Sequence, residues 1–169
     1  MALAEDLLEQ AKFLSRRETG RGRPRQASLR RSASAAYYAV FHLLAAEAAS
    51  QASPGTPRSL CDRVQRALVH ETMKQAASAF QASNLPVHVS PLIPHPLSQE
   101  IIAIARRFVF LQEARHKADY DLTEQFDRTR VQAIVNDAEQ VFRLWRQIRD
   151  TDEARVFLAS LLFWRLWSK

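Results

Sequence analysis

Arg115 makes the heaviest chemical demand in this chain. It stands in the run Phe108-Val109-Phe110-Leu111-Gln112-Glu113-Ala114-Arg115-His116-Lys117-Ala118-Asp119-Tyr120-Asp121. At helical spacing Arg115 shares a face with Phe108 and Leu111, and Asp119 follows one turn later on the same face. A guanidinium does not shed its charge, so among apolar residues it needs a carboxylate or an anionic ligand. Two readings stand. One is an ion pair of Arg115 with Asp119 or with a neighbouring helix. The other is a phosphate-binding arginine at the mouth of a bundle. Glu113 and Lys117 fit a solvent-side i,i+4 pair, worth a few tenths of a kcal/mol.

A second polar line lies in Leu29-Arg30-Arg31-Ser32-Ala33-Ser34-Ala35-Ala36-Tyr37-Tyr38-Ala39-Val40-Phe41-His42. On a helix Arg31, Ser34, Tyr38 and His42 fall in one narrow sector, opposite the Leu29/Ala36/Val40 stripe. Alanines and Phe41 flank that sector, so the helix is expected to be packed on most sides. Polar groups in such a place must find partners. The line is either a hydrogen-bond network between helices or one wall of a polar cleft.

The elements that must position these residues are marked by punctuation. Every Gly and Pro falls in three windows: Gly20, Gly22 and Pro24; Pro54, Gly55 and Pro57; Pro86, Pro91, Pro94 and Pro96. The segments between them, 1–19, 25–53, 58–85 and 97–169, hold neither breaker and are long enough for multi-turn helices. Leu3, Leu7, Leu8, Ala11 and Leu14 recur at three- and four-residue steps, as do Leu29, Ala33, Ala36, Val40 and Leu43. Leu60, Val64, Ala67, Leu68, Ala76 and Phe80 continue the pattern, and from Ser98 so do Ile101, Ile104, Ala105, Phe108 and Leu111. Ser28 is placed to cap the second helix. The last segment is expected to break at Asp119–Thr123, where Asp121 and Glu124 have capping-box spacing, and again at Asp150–Asp152. The expected fold is all-α, an antiparallel bundle of about five to six helices. Residues 1–149 would form the bundle, and 150–169 a C-terminal apolar helix that packs on it or forms an interface.

Composition narrows the function classes. The chain has 169 residues, 47% hydrophobic and 25% charged, as expected for one globular domain. Three glycines are too few for a turn-rich β-fold. The single cysteine, Cys61, closes no intrachain disulfide and builds no cysteine-based zinc site. His88 and His95 sit in the Pro-rich stretch without metal-ligand spacing, and no cofactor is expected. Glu5, Asp6 and Glu9 near the start argue against a secretory signal, so a cytoplasmic location is expected. No apolar run approaches the ~20 residues that span a bilayer.

The net charge of +6 suits an acidic partner such as nucleic acid. Seven arginines lie between Arg16 and Arg31, and Arg21-Gly22-Arg23-Pro24-Arg25 is similar to an AT-hook core. The plainer reading of that stretch is a solvated basic loop. At the other end Phe157, Leu161, Trp164 and Trp167, with Leu158, Leu162, Phe163 and Leu166, leave little polar face. They are expected either against the chain's own bundle or at a dimer seam.

Taken as a pair, the two polar segments resemble the HEPN superfamily, in an uncharacterised bacterial branch. Leu29–Leu44 resembles its second helix, and Leu111–Leu122 the late helix that carries its functional arginine. The likeness covers about residues 1–148. It implies an all-α bundle, a homodimer with a polar cleft between protomers, and a role in a toxin–antitoxin or defence system. Many members are metal-independent RNases. Others pair with a nucleotidyltransferase or an antitoxin, or serve as non-catalytic RNA-binding or scaffold domains. In the RNases an arginine is followed after four to six residues by a histidine; the arginine holds the scissile phosphate and the histidine moves protons.

Arg115 matches that arginine, and Asp119 would orient it. The position after four spacers is Tyr120 instead of histidine. A phenol is a poor base at neutral pH but can donate a hydrogen bond or a proton. By position Tyr120 is also a candidate acceptor for modification. His42 would replace the missing histidine if the bundle brings it to Arg115. Arg31, Ser34 and Tyr38 would line the cleft. Arg63 and His70 also have six residues between them, but arginine fills 20 of the 169 positions and such pairs arise by chance. Two function classes therefore stand: an RNA-acting or RNA-binding module, and a non-catalytic interaction module.

Overall fold

The computed structural model describes residues 2–17, 25–81, 85–93 and 96–167. Among them seven α-helices follow in order: α1 (Ala2–Arg17), α2 (Gln26–Ala52), α3 (Arg58–Ala67), α4 (His70–Phe80), α5 (Gln99–Tyr120), α6 (Arg128–Ile148) and α7 (Asp152–Trp167). One 3₁₀ turn, Ser90–Leu92, precedes α5, and there is no strand among the described residues. No described helix is long and apolar enough to cross a membrane.

Helix α2 is the centre of the bundle and packs against α1, α3, α5, α6 and α7. A helix buried on nearly every side needs small residues, so that neighbouring backbones can approach. Ala33, Ala35, Ala36, Ala39, Ala45, Ala48 and Ala49 supply them, and all are buried. The expected Leu29/Ala33/Ala36/Val40/Leu43 stripe lies wholly in the core. The buried Ser32 hydroxyl donates to the Ala11 carbonyl at 2.7 Å, which satisfies it against α1. Arg30, near the start of α2, meets the end of α5, while Tyr37 further along stacks on Phe108. The two helices therefore run antiparallel.

The extra helix arises where the third segment divides. Leu68 and Val69 are both extended, which separates α3 from α4 with no Gly or Pro present. Leu68 is buried, but α3 itself has no buried residue. Leu60 and Ala67 are exposed and Val64 is half-buried, and none of them is part of the core. Gly55, at φ +68, turns the chain from α2 into α3, a conformation in which a side chain would be strained. Helix α2 begins one turn earlier than expected, with Arg25 at its N-cap and Ser28 inside its first turn.

The C-terminal helix is part of the same core. Ala154, Phe157, Leu158 and Leu161 join the one hydrophobic cluster, and the Phe157 ring meets Phe80 of α4 edge-on at 5.0 Å. Phe157 and Leu161, candidates for an interface, are thus interior residues of this chain. Trp164 is half-buried against His88, with ring centroids 5.0 Å apart, and Trp167 is also half-buried. Only Phe163 and Leu166 turn outward, at 39% and 66% exposure. Glu153 of α7 is buried, and its carboxylate accepts from the Ser98 backbone N–H at 2.7 Å and the Ser98 hydroxyl at 2.5 Å. Ser98 is in turn the N-cap of α5 and accepts from the Ile101 N–H. The expected break at Asp150–Asp152 is present, with the Thr151 hydroxyl accepting from the Ala154 N–H.

Candidate functional site

The site forms where the end of α5 crosses the first half of α2. Its foundation is Arg30. Its guanidinium donates to the carbonyls of Ala118 (3.0 Å), Asp121 (2.8 Å) and Glu124 (2.5 Å), and more weakly to Lys117 (3.5 Å). These include carbonyls that a helix end leaves without partners. A cation at a helix C-terminus also complements its dipole. Arg30 thus fixes the turn that carries Asp119 and Tyr120.

Beyond α5, Asp121 accepts from the Thr123 N–H and hydroxyl and from the Glu124 N–H. The Thr123 contacts, hydroxyl first, hold its carboxyl below the usual range. This closes a turn and does not start a helix; α6 begins later, under Asp127, which accepts from the Arg130 N–H at 2.8 Å. Asp121 and Glu124 are therefore not the expected helix start.

Arg115 projects from the last full turns of α5. Its Nε lies 2.8 Å from Asp119 Oδ2, although the N–H is not aimed at that oxygen. Its Nη2 donates to the Tyr38 hydroxyl at 2.6 Å and to the Tyr120 hydroxyl at 3.4 Å. The guanidinium carbon also lies 5.3 Å from the Tyr38 ring centre and 5.2 Å from that of Tyr120. Ser34 donates to Asp119 Oδ1 at 2.9 Å and locks the carboxylate from α2. Burial alone would lower the Arg115 pKa. The Tyr38 hydrogen bond and the charge of Asp119 outweigh it, so the net shift is upward.

Arg115 also lines a pocket of about 320 Å³ with Glu71, Lys74, Gln112, His116 and Lys117. One polar atom of these walls, Gln112 Oε1, is buried without a hydrogen-bond partner. Such an atom is uncommon and calls for a water or a ligand. Arg115 Nη1 has no partner among the described residues and is not buried. Glu113 pairs across to Lys74 at 3.2 Å and not along the helix with Lys117.

The structure brings Ser34, Tyr38, Arg115, Asp119 and Tyr120 together. Arg31 is exposed, and no described bond joins it to this group. Arg21 and Arg23 lie outside the described residues. Arg25 opens α2, where its carbonyl accepts from the Ser28 and Leu29 N–H groups. His42 touches Tyr38 and Phe41, with centroids 6.4 and 5.3 Å away, and has no described hydrogen bond to Arg115. It lines a separate recess of about 370 Å³ with Asp62, Gln65 and Arg66.

His70, whose spacing from Arg63 carries no signal, also lies beside the cluster, as do His116 against Tyr120 and His42 against Tyr38. His70, the first residue of α4, has Nδ1 2.6 Å from the Tyr37 hydroxyl. Its ring stacks on Phe41 at 4.2 Å and meets the Tyr38 ring edge-on at 5.9 Å. Gln112, one turn before Arg115, donates to the His70 carbonyl at 3.2 Å. Burial lowers the His70 pKa, and the nearby Arg115 and His42 lower it further. Burial likewise lowers His42. The Tyr37–Tyr38 pair was the available signal, since two adjacent phenols on a buried helix must both find partners. Among the described residues no three His, Cys, Asp or Glu side chains converge as a metal site requires.

Comparison of the chain with protein-family models, with curated proteins and with solved structures gave no match.

Proposed function

We propose that this chain is a HEPN-like, RNA-directed module in which Arg115 engages a backbone phosphate. The observation that carries the reading is the way Arg115 is held. Asp119 and the Tyr38 and Tyr120 hydroxyls hold Nε and Nη2 of the guanidinium, Nη1 has no partner among the described residues, and Arg115 lines a pocket with Gln112, whose Oε1 is buried without a hydrogen bond. A preoriented arginine loses little freedom when it takes up a phosphate oxygen, and its charge persists at every physiological pH. The tyrosine rings beside it supply faces on which an unstacked base can rest. Tyr120, 61% exposed, is the natural first contact. The setting implied is a bacterial toxin–antitoxin or defence system, with the chain acting as a homodimer, and the RNA is either cleaved without metal or only bound.

The test is binding of a labelled single-stranded RNA to the wild type, Arg115→Ala and Arg115→Lys, with RNA integrity followed on the same samples. We expect Arg115→Ala to lose about ten-fold or more in affinity, the scale of a charged hydrogen bond, and Arg115→Lys to lose less. Equal affinity in all three would overturn the reading.

A second reading is favoured by the outward Phe163 and Leu166 at the end of α7. On that reading the chain is a non-catalytic module whose C-terminal end meets a partner protein, such as a nucleotidyltransferase or antitoxin. Intact RNA and no RNA binding in the same experiment would favour it.

A further inference from the structure

We propose that Tyr37 holds His70 as the neutral tautomer with its proton on Nε2, so that His70 serves a bound RNA phosphodiester as a hydrogen-bond donor and not as a proton-accepting base. The inference rests on the RNA-directed reading of the Arg115 site and names the task of a residue outside the motif.

The argument starts from the Tyr37 side chain, which is fully buried. A buried hydroxyl must donate to something, and the acceptor in place is His70 Nδ1, at 2.6 Å. With Tyr37 as donor, Nδ1 contributes its lone pair and the ring proton sits on Nε2. The reverse arrangement would leave the Tyr37 hydrogen without a described acceptor. Protonation of His70 would have the same cost, because Nδ1–H would turn the hydroxyl away.

The groups facing His70 act in the same direction. Tyr37, Tyr38, Phe41 and His42 come from α2 and Arg115 from α5, and none of them is anionic. Nε2 itself has no partner among the described residues and is not buried. Tyr38 lies against both the His70 ring and the Arg115 guanidinium, so both donors border one phenol. An arginine and a neutral imidazole N–H that border one ring offer two donors to the non-bridging oxygens of a phosphodiester.

The experiment has two parts on the full chain. Long-range ¹H–¹⁵N spectra of the imidazoles identify the His70 tautomer. We expect the Nε2–H form in the wild type and a mixed population in Tyr37→Phe. A wild-type His70 in the Nδ1–H form overturns the proposal without needing the variant to fold. The second part measures affinity for an RNA dinucleotide blocked by a 2′-O-methyl group. His70→Gln, whose amide keeps a donor, should bind within about three-fold of wild type, whereas His70→Ala should lose about ten-fold. Equal losses in both variants overturn the donor role while leaving Arg115 as phosphate ligand. A wild type that does not bind the dinucleotide overturns both.

Discussion

Tyr38 and Arg115 meet in two ways at once. The phenol oxygen accepts from Nη2 at 2.6 Å, and the guanidinium carbon also lies 5.3 Å from the centre of the same ring. Tyr38 thereby fixes both the direction and the tilt of the arginine. Tyr38→Phe keeps the ring and removes the acceptor. We expect it to weaken RNA binding about three- to ten-fold, with an unchanged circular dichroism spectrum. A variant with wild-type affinity would show that the ring contact alone positions Arg115.

Arg115→Ala should leave the helical content intact and lower stability by about 1–3 kcal/mol, the scale of a lost charged hydrogen bond. The Arg115 and Asp119 side chains are only 16% and 27% exposed, so the pair is largely shielded from water. Ser34 still donates to Asp119 in the variant. Urea denaturation of wild type and variant gives the answer. A loss above about 3 kcal/mol would mark Arg115 as a structural ion-pair residue.

Arg30→Ala should act at a distance. It removes donors from the carbonyls that end α5, at a cost of about 1–3 kcal/mol. Hydrogen exchange should quicken from Ala118 through Phe126, while α7 keeps its protection. Arg30→Lys should recover little, because one ammonium does not reach all of those carbonyls.

The pH dependence of stability follows from His42 and His70, both of whose pKa values are lowered in the fold. The unfolded chain takes up these protons near pH 6.5 and the folded chain only at lower pH. Between those limits the unfolded state binds more protons, so stability falls as pH falls. We expect the highest Tm above about pH 7 and a decline through 6.5. Scanning calorimetry at pH 5.5 and 7.5 checks it, and His70→Gln should flatten the slope.

The α2 stripe and the acid-rich break before α7 were legible because they are local, whereas Leu3 and Leu60, which share the same spacing, are 55% and 43% exposed. Leu29 through Leu43 lie on one helix, and a period is enough to place them. The division at Leu68–Val69 was not legible, because burial of Leu68 selects it and no breaker residue does. Arg115 and Asp119 share a helix, so their pairing could be anticipated. Ser34 is 85 residues from Asp119 in sequence, and Tyr38 is 77 from Arg115, yet the polar line on α2 was visible as a line. His70 was set aside by a spacing argument because its partner is Tyr37, 33 residues earlier, across a helix–helix contact that no motif encodes.

Glu153 reaches back 55 residues to Ser98. During synthesis the chain is made from the N-terminus, so α5 leaves the ribosome well before the carboxylate that completes its cap. The first turn of the helix that carries Arg115 therefore waits for α7 to emerge. Until then Phe80 lacks its cover from Phe157, and the nascent chain is a natural client for chaperones that hold apolar surface. Glu153→Ala should prolong that exposure in the finished protein. It leaves the Ser98 N–H without its acceptor and unseats α7, at a cost of about 2–3 kcal/mol that guanidinium denaturation would register.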